Sequence, residues 1–252
     1  MSKYVFITGA TSGFGEACAK IFAQNNWNLI LTGRRNDRLN SVSQELKNSY
    51  GVDIVTLNFD VRNQLEVIKY INSLEDKITD NIEILINNAG LAVGRGPIEE
   101  ADTDDWERMI DTNLKGLLYV SKAIIPFFKK NRKGHIINIS SIAGKEVYPG
   151  GNVYCATKHA VDSLSKAMRI DLVNYGIKVT NIAPGAADTE FSLVRFKGDK
   201  ETAEKVYEGF SPLFAEDIAE SIYFVSNRPK HVNINDLVIM PTDQANSTIF
   251  NK

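Results

Sequence analysis

The chain has 252 residues, of which 43% are hydrophobic, enough for one large α/β domain or two small ones around a substantial core. Its 29 lysine and arginine residues nearly balance 31 acidic residues, so the net charge is −2. This balance, without a long basic run, argues against a nucleic-acid-binding surface. A small molecule is the expected partner of a soluble globular protein.

Short apolar or β-branched runs alternate with longer amphipathic runs along the chain. Strands are predicted at residues 4–8, 28–32, 54–58, 83–87, 135–140, 177–183 and 237–240. Helices are predicted at residues 13–24, 36–48, 63–76, 103–130, 153–174 and 216–227. Most strand candidates are apolar along much of their length, which is typical of strands buried on both faces. We expect one domain over residues 1–252, an α/β doubly wound parallel sheet of the Rossmann type with helices on both faces.

The first strand and the apolar stretches predict the location of the protein. The strand begins at Tyr4, which leaves no room for a signal peptide. The apolar stretch 116–125 is interrupted by Lys122 and is too short to span a bilayer. We expect a cytoplasmic protein with no membrane partner.

The cysteines and histidines do not form a metal-binding pattern. Cys18 and Cys155 lie in different segments, neither within a C-x-x-C motif, and are predicted to be small buried hydrophobic side chains. The three histidines have no second ligand at metal-binding spacing. No metal site is predicted.

A glycine-rich loop follows the first strand and leads into a helix. Its glycines allow a tight turn and close approach of the backbone to a pyrophosphate, while the helix N-terminus supplies amides and a favourable dipole. A turn that needs glycine only for packing is the alternative. The candidate cofactor residues of this loop are Gly9, Ala10, Thr11, Ser12, Gly13, Phe14 and Gly15.

Two arginines follow the second strand, where dinucleotide-binding proteins recognise the adenosine ribose. An acidic residue there binds a 2′-hydroxyl, whereas an arginine accommodates a 2′-phosphate. This chain has Arg34 and Arg35, with no acidic residue until Asp37. The pattern predicts NADP rather than NAD as the cofactor. Two arginines at a solvated helix start are the alternative.

Tyr154 and Lys158 are four residues apart in a predicted helix, so their side chains share one face. An ammonium beside a phenol is expected to lower the phenol pKa from its usual value of about 10 and to make the phenol a usable general acid and base. Ser141 lies at the end of the apolar run 135–139. The alternative is an exposed tyrosine and a solvated lysine.

Residues from about 186 to 212 depart from the strand and helix alternation. The segment follows a strand, and ligands bind at the carboxyl ends of strands in such sheets. It contains Phe191, Arg195 and Lys197. We expect it to form a lid over the substrate.

Taken together, these motifs resemble the short-chain dehydrogenases/reductases over nearly the whole chain. The resemblance is carried by Thr8-Gly9-x-x-x-Gly13-x-Gly15, Asp60-Val61, Asn87-Asn88-Ala89-Gly90, Asn113, Ser141, Tyr154-x-x-x-Lys158 and Pro184-Gly185. Within that family, the chain is most similar to the NADP-dependent serine/3-hydroxy-acid dehydrogenases, which also reduce malonic semialdehyde. The stretches that indicate this subgroup are 32–35, 150–154, 189–191, 194–199 and 231–235.

The resemblance implies a role for each catalytic candidate. Tyr154 would exchange a proton with the carbonyl or hydroxyl oxygen, and Lys158 would lower the Tyr154 pKa and bind the nicotinamide ribose. Ser141 would hydrogen-bond the substrate oxygen, with Ser140 supporting the strand end. Asn113 would hold a water that links Lys158 to solvent.

The resemblance also implies cofactor contacts outside the glycine loop. The 2′-phosphate would face Arg34 and Arg35, the adenine Asp60 and Val61, and the adenosine ribose Asn88 and Gly90. The nicotinamide would be bordered by Pro184, Gly185 and Thr189, besides Tyr154 and Lys158. The segment 184–189 is one residue shorter than the subgroup pattern, which leaves the Thr189 contact open.

The expected reaction is hydride transfer between NADP(H) and a 3-hydroxy acid/3-oxo acid pair, such as serine or 3-hydroxypropionate. A carboxylate needs a cation, and Arg195 is the candidate substrate-binding arginine, with Lys197 nearby. A solvated charged lid is the alternative reading of both residues. A carbonyl reductase of neutral ketones or aldehydes and a non-catalytic NADP-binding sensor remain alternative functions.

Small residues on the predicted helix of Tyr154 suggest association between copies of the chain. They recur at 4, 3 and 4 spacing, at Ala156, Ala160, Ser163 and Ala167. A helix packed only on its own sheet is the alternative. The family resemblance favours a homo-oligomer, a tetramer above all.

Overall fold

Seven strands form one sheet in the structure, a computed structural model that describes residues 3–252. The two first residues of the predicted domain, Met1 and Ser2, lie outside the described residues. All strand pairs are parallel, in the order β3-β2-β1-β4-β5-β6-β7. The strands are β1 (Tyr4–Thr8), β2 (Asn28–Thr32), β3 (Ile54–Leu57), β4 (Ile82–Asn87), β5 (Gly134–Ile139), β6 (Ile177–Pro184) and β7 (Asp236–Ile239).

The predicted doubly wound parallel sheet is confirmed, and each predicted strand is present within one residue of its expected ends. Ten α-helices are described around it. They are α1 (Gly13–Gln24), α2 (Asn36–Tyr50), α3 (Gln64–Asn72), α4 (Asp76–Thr79), α5 (Thr103–Ile110), α6 (Leu117–Asn131), α7 (Asn152–Leu172), α8 (Glu190–Arg195), α9 (Lys200–Lys205) and α10 (Ala215–Ser226).

The hydrophobic core lies in two layers, one on each face of the sheet. Alternate side chains of β1 enter opposite layers: Val5 and Ile7 pack with α1, α2 and α10, whereas Tyr4 and Phe6 pack with α3, α6 and α7. Because helices cover both faces, every residue of β1 is buried. This double burial explains why the strands are continuous apolar runs without alternation.

Two predicted helices are interrupted. The predicted helix 103–130 contains a π-helical turn, Asp111–Gly116, between α5 and α6, and the predicted helix 63–76 is split into α3 and α4. At the second break the Ser73 hydroxyl donates a hydrogen bond of 2.8 Å to the Tyr70 carbonyl, a local contact that competes with helical pairing.

The predicted lid contains two short helices that were not expected from the sequence. Thr189 caps α8 by accepting a hydrogen bond of 3.2 Å from the Phe191 amide, and Asp199 caps α9 by accepting one of 3.1 Å from the Thr202 amide. Both helices are only six residues long, so amphipathic periodicity could not reveal them. They follow the carboxyl end of β6.

The cysteines lie where the sequence predicts. Cys18 is fully buried on α1 within one core layer, and burial raises the pKa of its thiol. Cys155 is buried on α7. Within residues 3–252, no three metal-binding side chains come together, and no helix is long and apolar enough to cross a membrane.

Candidate active site

A cavity of about 960 Å³ opens at the carboxyl ends of the central strands, where doubly wound sheets bind their ligands. It is lined by most of the residues predicted from the sequence: Gly9, Thr11, Ser12, Gly13, Phe14, Arg34, Arg35, Asp60, Val61, Asn88, Gly90, Ser141, Tyr154, Lys158, Pro184, Gly185, Thr189 and Arg195. Three predicted residues, Ala10, Gly15 and Asn113, support the wall of the cavity without lining it.

The glycine loop forms the floor of the cavity in a conformation that needs glycine. Gly9 and Gly13 have φ values of +67° and +53°, in the left-handed region. A Cβ on Gly15 would lie 2.2 Å from the Gly9 carbonyl oxygen, so Gly15 lets the start of α1 approach the loop. Ser12 precedes α1 but its side chain does not cap the helix. The first amides of α1 therefore face the cavity uncapped, an arrangement suited to an anion.

Asn88 connects this loop to the end of β4. Its side-chain amide donates hydrogen bonds of 3.0 and 3.1 Å to the carbonyl oxygens of Thr8 and Gly9. The Thr8 hydroxyl in turn accepts hydrogen bonds from the backbone amides of Asn88 and Ala89. The Asn88 amide group thus holds the loop in place, a role that the sequence did not reveal.

The two arginines of the predicted 2′-phosphate site differ in their contacts. Arg35 donates hydrogen bonds to Thr11, Ser12 and Glu190. The Arg34 side chain is 58% exposed, and its nearest acidic partner is the Asp60 carboxylate at 3.8 Å. Of the two arginines at this edge of the cavity, Arg34 therefore makes fewer contacts within the protein.

Asp60, predicted to lie near the adenine, is held by a residue that the sequence did not reveal. The Arg62 guanidinium donates three hydrogen bonds of 2.6 to 3.1 Å to its carboxylate. Burial acts to raise the pKa of Asp60, but these hydrogen bonds outweigh it and hold that pKa below its ordinary value. The Asp60 side chain is therefore fixed as a carboxylate.

Tyr154 and Lys158 lie one turn apart on α7, and both are buried. The Lys158 ammonium is 5.8 Å from the centre of the Tyr154 ring and donates a hydrogen bond of 2.8 Å to the Ile139 carbonyl at the end of β5. Burial lowers the pKa of Lys158 from 10.5 to about 8. The pair is thus not the solvated surface pair of the alternative interpretation.

The expectation that Lys158 lowers the Tyr154 pKa stays a prediction, and burial acts in the opposite direction. Burial raises the pKa of the Tyr154 phenol, and the neighbouring Ser141 hydroxyl and Arg195 guanidinium oppose this rise only in part. The Lys158 ammonium points to the Ile139 carbonyl. The phenol is consequently protonated at neutral pH, as a proton donor must be.

The two serines after β5 have separate roles. The Ser141 hydroxyl accepts a hydrogen bond of 3.1 Å from the Ala143 amide and lies beside the Tyr154 phenol in the cavity. The Ser140 hydroxyl donates a hydrogen bond of 3.0 Å to the Lys158 carbonyl and ties the strand end to α7. Ser140 is thus a supporting residue, and the contact of Ser141 with the substrate oxygen stays a prediction.

Asn113 lies in the π-helical turn and holds the backbone that follows β4. Its side chain accepts a hydrogen bond from the Leu91 amide and donates one to the Leu91 carbonyl, both 2.8 Å long, with a third to Thr157 at 3.1 Å. A Cβ on Gly90 would lie 3.3 Å from the Asn113 oxygen and 3.5 Å from the Lys158 nitrogen. Asn113 therefore fixes the loop beside Lys158, and its proposed water contact stays a prediction.

The nicotinamide end predicted from the sequence is bounded by Gly185 and Thr189. A Cβ on Gly185 would lie 2.5 Å from the side-chain oxygen of Gln244, which accepts a hydrogen bond of 2.7 Å from the Ala186 amide. A Cβ on Gly13 would lie 3.5 Å from the Thr189 side chain. Thr189 thus lies against the glycine loop, and Gln244 is a wall residue that no local motif could reveal.

Arg195 lies over the catalytic end of the cavity. Its guanidinium is 5.7 Å from the centre of the Tyr154 ring and 5.3 Å from that of Tyr148, and it donates a hydrogen bond of 2.9 Å to the Tyr148 hydroxyl. Within residues 3–252, the buried Arg195 Nε has no hydrogen-bond partner. Lys197 instead pairs with Asp105 at 2.7 Å, so it is the structural cation of the two.

The fold and the position of the cavity are those of doubly wound α/β proteins that bind ligands at the carboxyl ends of their strands. The model of the family described as short chain dehydrogenase matches residues 3–199, and the chain belongs to this family. The predicted family and oxidoreductase class are thereby confirmed.

Comparison with known proteins identifies relatives over almost the whole chain. A protein of Salmonella typhimurium named NADP-dependent 3-hydroxy acid dehydrogenase YdfG is 47% identical over 96% of each chain. Sulfoacetaldehyde reductase 2 of Chromohalobacter salexigens is 45% identical over 97% of this chain and 96% of its own length. Among solved structures, the closed form of serine dehydrogenase complexed with NADP+ matches with a TM-score of 0.92, 46% identity and 98% coverage of both chains.

Proposed function

We propose that the protein transfers hydride between NADP(H) and a 3-hydroxy acid/3-oxo acid pair, with serine, 3-hydroxypropionate or a similar compound as the hydroxy acid. The observation that carries the substrate class is the position of the Arg195 guanidinium, 5.7 Å from the ring of the buried Tyr154. A proton donor and a cation thus share one end of the cavity. The relatives of 46% to 47% identity that are named for NADP, 3-hydroxy acids or serine support the same function.

The nucleotide end has the features that NADP requires. The uncapped amides of α1 and the left-handed Gly9 and Gly13 suit a pyrophosphate, and Arg34 suits a 2′-phosphate. Asp60 and Val61 would border the adenine and Gly90 the adenosine ribose. Pro184, Gly185 and Thr189 would border the nicotinamide. When bound, the cofactor supplies or accepts the hydride.

The residues around Tyr154 handle the proton. Burial raises the pKa of the Tyr154 phenol and keeps it protonated, so the phenol holds the proton that the oxygen of a carbonyl substrate would receive during reduction. The Ser141 hydroxyl, beside that phenol, would hydrogen-bond the same oxygen. Below about pH 8 Lys158 is charged and would bind the nicotinamide ribose hydroxyls.

Arg195 would hold the substrate carboxylate. Guanidinium donors match a carboxylate in charge and shape, and the buried Arg195 Nε has no partner among the described residues. A sulfonate would satisfy the same cation, so sulfoacetaldehyde is a second substrate to test, in view of the relative named for it. A neutral-carbonyl reductase would have no use for this cation.

The decisive experiment compares kcat/KM for malonic semialdehyde with that for a neutral aldehyde of similar size. We expect Arg195→Ala to reduce kcat/KM for the acid ~10- to 100-fold, the value of a hydrogen-bonded charge, and to change the neutral substrate little. Lys200→Ala is the matched control, because Lys200 is an exposed cation of the same segment that does not line the cavity. An equal loss for both substrates would favour the neutral-carbonyl alternative, and no NADPH oxidation with any substrate would favour the sensor.

A homotetramer in the cytoplasm is the proposed state of the protein. Ala156, Ser163 and Ala167 are exposed on the outer face of α7. Near the end of the same helix, Ile170 and Val173 are 75% and 64% exposed. An exposed apolar strip of this kind supports association with a second copy. A stable monomer in sedimentation at micromolar concentration would contradict it.

A further inference from the structure

Glu190 joins two parts of the cavity wall that are far apart in sequence. It is the first residue of α8 in the lid, and its carboxylate accepts hydrogen bonds from Arg35 at 2.9 Å and from Arg38. Both arginines belong to the start of α2, on the nucleotide side. Burial acts to raise the pKa of Glu190, but the two ion pairs outweigh it and hold that pKa below its ordinary value. The Glu190 carboxylate is therefore ionised at neutral pH.

Arg35 extends this connection to the glycine loop. Its Nη2 donates hydrogen bonds of 3.1 Å to the Thr11 carbonyl and 2.8 Å to the Ser12 hydroxyl, while its Nη1 reaches Glu190. A continuous path of hydrogen bonds therefore runs from the glycine loop through Arg35 to the lid. Arg38, which does not line the cavity, provides a second attachment for Glu190.

The other end of α8 faces the reacting end of the cavity. Phe191, next to Glu190, has its ring centre 5.7 Å from that of Tyr154, and Arg195 ends the same helix 5.7 Å from the Tyr154 ring. A helix of six residues is only ~9 Å long, so Glu190 and Arg195 belong to one short element. Restraint of its first residue therefore acts close to Arg195, beside the hydrogen bond of Arg195 to Tyr148.

We propose that Glu190 is a positioning residue: its ion pairs to Arg35 and Arg38 set the orientation of α8 and thereby place Arg195 for an anionic substrate. The nucleotide end and the substrate end of the cavity are coupled through this carboxylate. If a nucleotide phosphate binds Arg35, Arg38 can still hold Glu190. This would explain why two arginines pair with the same carboxylate. The substrate part of this inference depends on the proposed function, but the attachment of the lid does not.

The attachment is tested by hydrogen-deuterium exchange of the purified full-length protein without added nucleotide. We expect Glu190→Gln to speed exchange of the backbone amides of residues 187–198 about three- to tenfold, as loss of a partly exposed charge network should. Arg38→Gln should have the same effect and Arg38→Lys a smaller one. Glu201→Gln is the matched control, since Glu201 pairs with Lys205 within α9. Unchanged exchange in Glu190→Gln would overturn the proposal.

Salt and kinetics separate positioning from general destabilisation. Exchange of the wild-type lid should rise between 0.05 and 0.5 M NaCl, on the order of twofold, and that of Glu190→Gln should rise less, because only the ion pair of Lys197 with Asp105 is then left to be screened. For malonic semialdehyde, Glu190→Gln should raise KM about fivefold with kcat within about twofold. A fall in kcat with KM unchanged would refute the positioning role, whereas wild-type inactivity toward every 3-oxo acid would refute only the proposed function.

Discussion

The two ends of the cavity are held together by different kinds of contact. At the nucleotide end, glycines bring backbone against backbone, as Gly15 does at Gly9, and the Asn88 side chain ties the loop to β4. At the substrate end, the lid is attached by side chains: Glu190 to two arginines and Lys197 to Asp105. The nucleotide end is a fixed frame, whereas the lid depends on partly exposed charges that salt and substitution can disturb.

The difference has a functional meaning. Backbone amides and tight glycine turns suit a nucleotide, because they are positioned before it binds. Exposed ion pairs are individually weak, so they hold the predicted lid less firmly than backbone contacts hold the glycine loop. The comparison predicts that substitutions at one end leave the other end largely intact, except at Glu190, Arg35 and Arg38, which join the two ends.

The largest effect should come from Tyr154→Phe. Removal of the proton donor should lower kcat for the 3-oxo acid ~100- to 10,000-fold, the usual contribution of general acid catalysis. The Kd for NADPH, measured by fluorescence titration, should change less than about twofold, since only a hydroxyl is lost. Near-normal turnover would show that another group supplies the proton.

The glycine loop was predictable from the sequence because its requirements are local. Three glycines at fixed spacing follow a strand and precede a helix, and the structure gives Gly9 and Gly13 left-handed φ values. The Tyr154 and Lys158 pair was predictable for the same reason, from one helical turn. The four-residue spacing could not show how deeply the pair is buried, and burial acts to raise the Tyr154 pKa.

The lid could not be read in the same way. The ion pair of Arg35 with Glu190 joins residues 155 positions apart, and no periodicity relates them. Tyr148 illustrates the same difficulty, because its hydroxyl acquires a role only through Arg195. The sequence singled out the segment 186–212 by its place after a strand, whereas its helices and contacts required the structure.

The second prediction concerns the rigid end. Gly15→Ala would place a methyl group 2.2 Å from the Gly9 carbonyl oxygen and 2.6 Å from the Asn88 side-chain nitrogen. Because backbone must move, we expect a loss of ~1 to 3 kcal/mol in the free energy of unfolding, measured by urea denaturation. Gly96→Ala is the control, since its Cβ would meet nothing within 4 Å. Equal stability of the two variants would refute the close approach.

The third prediction tests whether Arg34, at the nucleotide end of the cavity, makes the protein prefer NADPH to NADH. Arg34→Ala should weaken NADPH binding ~10- to 100-fold through loss of a charged hydrogen bond to the 2′-phosphate. NADH, which lacks that phosphate, is the matched control ligand and should bind equally well to variant and wild type. If both nucleotides lose affinity equally, Arg34 acts on something other than the 2′-phosphate.

The smallest effect is expected from pH, through Lys158. Burial lowers its pKa to about 8, so the ammonium is present below that pH and is lost as the pH rises through it. Reductive kcat/KM should therefore fall above pH 8, ~10-fold by one pH unit higher if only the charged form is active. Burial shifts the Tyr154 pKa upward, so the fall is assigned to Lys158. Lys158→Arg keeps its charge at all these pH values. The variant should be less active overall, but its kcat/KM should not decrease above pH 8. A profile that falls identically in this variant would assign the titration to another group.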